Sequence, residues 1–236
     1  MKNNIRMILF IVIIVIALVS CKKTKMELKT NENVSNEGNQ IEVKKIYTDE
    51  GEDIKFEKPI IYLYPKEKTQ ISIKIDYAGE LLCTYPDYRD GWKVIAEPNG
   101  RIHTIDGKEY SYLFWEGKSD YLWNIDEGFV VKGSETAEFL QESLEKIGLI
   151  PKEYNEFIVY WLPKMQNNEY NLIYFAGEEY EELAKLSIEP TPDNIVRVFM
   201  VYKALNEPIE VTEQELKSFE RSGFTVIEWG GTEINE

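Results

Sequence analysis

Two glutamates in this 236-residue chain sit beside tryptophans: Trp115-Glu116 and Glu228-Trp229. A carboxyl group packed on an indole is shielded from water, which raises its pKa and fits it to act as a general acid. Cleavage of a glycosidic bond needs two such carboxyls roughly 5–9.5 Å apart. Glu116 precedes Gly117, and Glu228 lies two residues before Gly230, so the pattern places both at strand ends where a ligand can approach the backbone. With 42 acidic residues in the chain, neighbouring Trp and Glu also arise readily without chemistry. A glycan hydrolase using Glu116 and Glu228 is therefore an alternative expectation, not the leading one.

Other catalytic sets find little footing. His103 is the one histidine, in a predicted strand beside a hairpin turn, and no Gly-x-Ser-x-Gly elbow is present. Cys83 falls in a predicted strand, away from any helix N-terminus, and is expected to be a buried, inert thiol. With one histidine and two cysteines a structural zinc is disfavoured. There is no calcium loop of alternating Asp and Asn, and no glycine-rich phosphate loop opening a helix. The sequence predicts no metal and no cofactor.

Aromatic residues make up 13% of the chain, with 15 Tyr, 10 Phe and 5 Trp. Indole and phenol faces stack on sugars and peptides and suit wet interfaces, although β-rich domains also use them in the core. Trp92, Trp115, Glu116, Glu228 and Trp229 are the candidate ligand-binding residues, each near Gly91, Gly117, Gly230 or Gly231, at loop ends where binding residues concentrate. The leading expectation is a non-enzymatic binding module for a glycan, a peptide or an envelope protein. A purely structural envelope protein is a third reading.

The elements that must position these residues read as mostly antiparallel sheet. Lys58–Pro65 is a proline-bounded apolar run. Gln70–Tyr77 alternates apolar and polar with period two. Further strands are expected over Leu81–Tyr85, Trp92–Glu97, Arg101–Ile105 and Glu109–Trp115, with tight turns at Asn99-Gly100 and Asp106-Gly107. Residues 58–117 thus resemble a small sandwich or open barrel. Gly128–Lys132 reads as a strand. A helix capped by Ser134 carries Ala137, Leu140, Leu144 and Ile147 on one face and stops at Gly148. Glu156–Leu162 and Tyr170–Phe175 read as a strand hairpin, followed by strands Leu183–Ile188 and Ile195–Ala204. A short helix at Thr212–Phe219 leads to a last strand, Thr225–Trp229. The fold class is α+β, as one domain over 58–236 with possible halves 58–132 and 133–236.

The N-terminus carries Lys2 and Arg6, the apolar run Met7–Val19, and then Leu18-Val19-Ser20-Cys21. These resemble a signal peptide ending in the lipobox of bacterial lipoproteins. The resemblance implies removal of residues 1–20 and a lipid on Cys21. The apolar run would make roughly 20 Å of helix, short of a hydrocarbon core of about 30 Å. Lys22 in place of an aspartate implies no inner-membrane retention, and one- and two-membrane envelopes both remain open. Without Lys2 and Arg6 the chain keeps 25 of its 27 basic residues against 42 acidic ones, a net charge of −17. Such a surface is a poor partner for nucleic acid. The expected partners are the membrane, through the lipid on Cys21, and an envelope glycan or protein. Residues 21–57 are polar and aperiodic, and read as a lipidated cysteine and a disordered tether spanning about 30–35 Å. They are expected to add nothing to the stability of 58–236.

Several strings together resemble a domain family of unknown function from gut and clostridial bacteria. They are Lys58–Pro65, Thr84–Trp92, Tyr110–Gly117, Glu127–Gly133, Glu156–Pro163 and Gly223–Gly231, and they span almost all of 58–236. The resemblance implies a domain boundary and no activity, and it transfers no functional residue.

Overall fold

The computed structural model describes residues 46–47 and 54–234. The expected export signal, Cys21 and most of the expected tether lie outside the described residues. The strands before the helices are β1 (Ile46–Tyr47), β2 (Ile54–Tyr64), β3 (Thr69–Tyr77), β4 (Glu80–Tyr85) and β5 (Trp92–Ala96). They continue as β6 (Ile102–Thr104), β7 (Glu109–Tyr110), β8 (Leu113–Ser119), β9 (Asn124–Ile125) and β10 (Glu127–Lys132). Helices α1 (Thr136–Ile147) and α2 (Pro151–Met165) follow, then β11 (Tyr170–Ala176), α3 (Glu178–Leu183), β12 (Ala184–Glu189), β13 (Asn194–Leu205), β14 (Thr212–Glu213) and β15 (Thr225–Glu233). The class is α+β with mostly antiparallel sheet, as the patterning predicts.

These elements form three layers. An eight-stranded sheet runs β14-β10-β11-β13-β15-β2-β8-β4, and a five-stranded sheet runs β12-β3-β5-β6-β7. One core fills the space between the sheets, with Phe56, Ile73, Val94, Trp115, Trp123 and Phe199 among its members. A second lies between the eight-stranded sheet and α1 and α2, with Ile60, Leu144, Phe157, Trp161, Met200 and Trp229. Two stacked cores demand that the middle strands be apolar on both faces, and all residues of β15 but its last, Glu233, are buried. β13 and β15 pair in parallel over nine positions; their other neighbours in this sheet, β11 and β2, run antiparallel to them.

The expected sandwich over 58–117 splits: β2, β4 and β8 join the eight-stranded sheet, and β3, β5, β6 and β7 the other. The two suggested halves are not separate, because β15 and β13 lie between β2 and β11 in one sheet. The opening strand also begins earlier than Lys58. Ile54 and Phe56 are buried, and they pair with Ser119 and Gly117. Ile46–Tyr47 pairs with β9.

Three other expectations fail for stated reasons. Residues 156–162 are rich in β-formers, yet they lie inside α2. Pro151 at the first helical turn and the Glu153 carboxylate, accepting the Ile150 N–H at 3.0 Å, start that helix. Tyr154, Phe157, Trp161 and Met165 then face the core at spacings of three and four. Residues 212–219 are no helix: β14 is followed by irregular chain. The Gln214 amide acts as a short false strand, donating to the Phe175 carbonyl and accepting from its N–H, both at 3.0 Å. α1 begins at Thr136 after a single turn of 3-10 helix over Gly133–Glu135, so Ser134 is not its cap. It ends where predicted: Gly148 takes φ +113°, and its N–H bonds back to Leu144 and Glu145.

Candidate functional site

The structure takes the predicted ligand residues apart. Trp115 and Trp229 are both fully buried, Trp115 in the core between the sheets and Trp229 in the core under the helices. Trp92 is 2% exposed, and its Nε1 donates to the Pro86 carbonyl at 2.8 Å. Glu228 is fully buried and accepts from Trp115 Nε1 at 3.0 Å and from Arg197 Nε at 2.6 Å. The Arg197 guanidinium in turn lies 4.4 Å from the Tyr180 ring centroid. Glu116 is half-buried, on the opposite face of β8 from Trp115, near Tyr160 of α2. Trp92, Trp115, Glu228 and Trp229 are therefore corrected from surface to core, Glu116 alone stays half-buried, and the two carboxylates of the hydrolase reading lie on opposite faces of one sheet.

The cause is the period of two along a strand. On β8 the tryptophan faces the inter-sheet core and the glutamate the helices; on β15 the assignment is reversed. Trp229-Gly230-Gly231 is also mid-strand, because β15 runs on to Glu233. Cys83 is corrected as well. It is exposed on the edge strand β4, beside a bulge between Leu81 and Cys83.

A different site is built around Lys58. Pro59 has no N–H to give to a ladder, and a central strand tolerates proline only at a bulge. Strand β2 supplies that bulge. Four steps from Phe56 to Ile60 oppose three on β8, from Gly117 to Phe114. Three steps from Glu57 to Ile60 oppose two on β15, from Gly231 to Trp229. The extra residue reverses the alternation, so Phe56 faces one core and Ile60 the other. Lys58 takes φ +52°, a left-handed conformation that costs a residue with a Cβ about 1–2 kcal/mol. Strain of this kind persists where the surroundings over-determine it, and it concentrates at functional sites. A Cβ on Gly231 would stand 2.7 Å from the Trp161 ring, so glycine lets β15 pass tightly beneath α2 here.

The bulge aims Lys58 at aromatic rings. Its Nζ lies 5.1 Å from the Tyr160 centroid and 5.9 Å from that of Trp229. Lys164 Nζ sits 4.9 Å from the Tyr160 centroid and 5.1 Å from that of Trp161, and it pairs with Glu57. The Tyr160 hydroxyl donates to the same Glu57 carboxylate at 3.0 Å. Burial, reinforced by the Glu57 charge, holds that hydroxyl well above the ordinary tyrosine pKa, so it remains a donor. Beside this cluster opens a pocket of about 430 Å³ lined by Lys58, Asn155, Glu156, Val159 and Tyr160. Val159 is 74% exposed, a large apolar side chain left in water at the rim. Among the described residues neither Lys58 nor Glu156 has an oppositely charged side chain within ion-pair distance; Glu156 accepts a hydrogen bond from the Tyr112 hydroxyl, and Glu57 is engaged twice. The arrangement holds charge beside an aromatic face.

A second polar cluster fixes the helix that carries this site. Glu153 is fully buried, accepts from Arg221 Nη1 at 3.0 Å, and also pairs with Arg221 Nη2. Arg221 donates from Nε and Nη2 to the Gly148 carbonyl at 3.2 and 3.1 Å, and it lies over the Tyr64 ring. One guanidinium thus ties the end of α1, the start of α2 and the chain before β15 together.

Lys58, Asn155, Glu156, Val159 and Tyr160 were not among the sequence-predicted site residues. Two signals pointed to them. A proline inside a strand that must be central requires a bulge. Read as a helix, Glu156, Val159 and Tyr160 share one face at spacings of three and four.

No protein-family model matches this chain, and no solved structure matches it. A Butyrivibrio fibrisolvens protein described as "Uncharacterized protein in bglA 3'region" is 46% identical over 70 residues, covering 28% of this chain and 69% of that protein. At that identity and coverage of the relative, the chain belongs to the same family as the Butyrivibrio fibrisolvens protein.

Proposed function

We propose that this chain is an exported lipoprotein, held to the outer face of a membrane by lipid on Cys21, whose folded part is a non-enzymatic binding module for an envelope glycan, peptide or protein. The N-terminal pattern supports the anchor. Each buried CH₂ of an acyl chain contributes roughly 0.8 kcal/mol, so two or three chains suffice for stable attachment. The observation that carries the binding reading is Lys58. A strained backbone in a central strand presents an ammonium without a carboxylate partner at the mouth of a pocket walled by Tyr160. The pocket lies within the usual size range for small-ligand sites.

The test is a screen of the full chain against glycan and peptide arrays and envelope extracts, run in parallel with Lys58→Met and Val159→Asp. Ligands retained by the parent chain and lost by both variants, with both variants still folded under the conditions of the screen, support the reading. Retention by both variants of every ligand the parent binds sinks it.

A further inference from the structure

We infer that the Lys58 pocket binds a zwitterionic ligand, an amino acid or short peptide with a free ammonium and a free carboxylate. This rests on the reading of that pocket as the binding site. The lining holds one cation and one anion, and among the described residues neither meets an opposite charge; Glu156 has a neutral partner, the Tyr112 hydroxyl, which leaves its charge uncompensated and its other acceptor positions open. They do not satisfy each other either. Lys58 lies against the ring of Tyr160, and Glu156 precedes Tyr160 by one helical turn, about 6 Å along the axis. A partly shielded charge without a counter-charge is a recognition element in waiting, because hydrogen bonds to ionised groups are the strong ones.

The surrounding charges decide between ligands. A bare anion would meet Lys58 but also the Glu156 carboxylate in the same pocket, with Glu116 near Tyr160. A bare cation would meet Glu156 but also Lys58. Lys164 does not change this balance, since Glu57 already takes it up. A ligand carrying both charges answers both groups: its carboxylate lies toward Lys58 and its ammonium toward Glu156. The Asn155 amide offers a donor and an acceptor for a peptide bond. Val159 and the Tyr160 ring give an apolar wall for a short side chain.

Calorimetric titration of the full chain with L-alanyl-L-alanine, its N-acetyl form and its C-terminal amide tests this, with free alanine as the probe of charge spacing. The expected result is binding of the free dipeptide and roughly tenfold weaker binding of each blocked form, the loss of one charge-assisted contact. Lys58→Met should remove the discrimination against the amide, and Glu156→Gln the discrimination against the N-acetyl form. Binding of alanine in place of the dipeptide keeps the zwitterion and shortens the charge spacing. Equal binding of free and blocked dipeptides, or no binding of either zwitterion, overturns the inference. Acetyl-alaninamide, which is neutral, separates the two levels. If it binds and Val159→Asp abolishes this, the pocket stands and the zwitterion falls. If no probe responds to changes at Lys58, Glu156 or Val159, the pocket reading falls with it.

Discussion

The indole of Trp115 donates to the carboxylate of Glu228 over 3.0 Å, with strand β2 between their own two strands in the sheet. The same carboxylate takes Arg197, whose side chain is 4% exposed. Removing the guanidinium strands a buried charge. Arg197→Met is expected to destabilise by about 3–5 kcal/mol, whereas Arg197→Met with Glu228→Gln recovers much of the loss. Denaturant midpoints of both variants check this. A double variant no better than the single one would mean that the pair is not what Glu228 needs.

Lys58 separates strain from contact. Lys58→Ala keeps the left-handed backbone and loses the aromatic contacts, so stability should fall. Lys58→Gly loses the same contacts and relieves the strain, so it should stand roughly 1 kcal/mol above the alanine variant. Both should lose ligand. Equal stability of the two variants would show the backbone to be unstrained.

The tyrosines set the alkaline limit. Burial raises the hydroxyls of Tyr62, Tyr64, Tyr77, Tyr160 and Tyr202 far above the ordinary value of 10, and that of Tyr174 to about 12. A raised folded-state pKa means that the folded chain keeps protons which the unfolded chain releases. The contribution is present in full below pH 10 and is lost as pH climbs from 10 through the folded-state values. Ultraviolet titration should show these tyrosines silent near pH 10 and ionising together with unfolding, with Tyr174 the first of them. Titration of all fifteen near pH 10 in a folded chain would contradict it.

Truncation tests where the domain starts. A chain beginning at Lys58 lacks Ile54 and Phe56, each contributing roughly 1.5–3 kcal/mol of buried apolar surface. Its unfolding midpoint should drop clearly, while a chain beginning at Ile41 should keep the parent midpoint. Equal midpoints for the two would return the boundary to Lys58.

The anchor is tested by a fatty-acid probe fed to cells making the full chain. Label should appear on the parent and vanish from Cys21→Ala. Continued labelling of the variant would sink the lipid assignment.

The fold class and much of the sheet were legible in local patterns of residues. Ile71 and Ile73 alternate with polar neighbours, and the alternating face of β3 is what they build. Gly148 ended α1 because a left-handed residue at that position needs no Cβ. These features are local: period, turn chemistry and helix stops act over a few residues. The faces of Trp115-Glu116 and Glu228-Trp229 were not legible, since alternation says that neighbours point apart but not which core each one meets. The β-forming string 156–162 became helix because its start, at Pro151 and Glu153, and the aromatic stripe facing Trp229 outweigh intrinsic preference. The Lys58 pocket belongs wholly to tertiary structure. It needs a bulge set by two neighbouring strands more than fifty residues away along the chain, and a helix held over it by Arg221. Burial and register between distant segments are collective properties, and no local pattern encodes which distant partner wins.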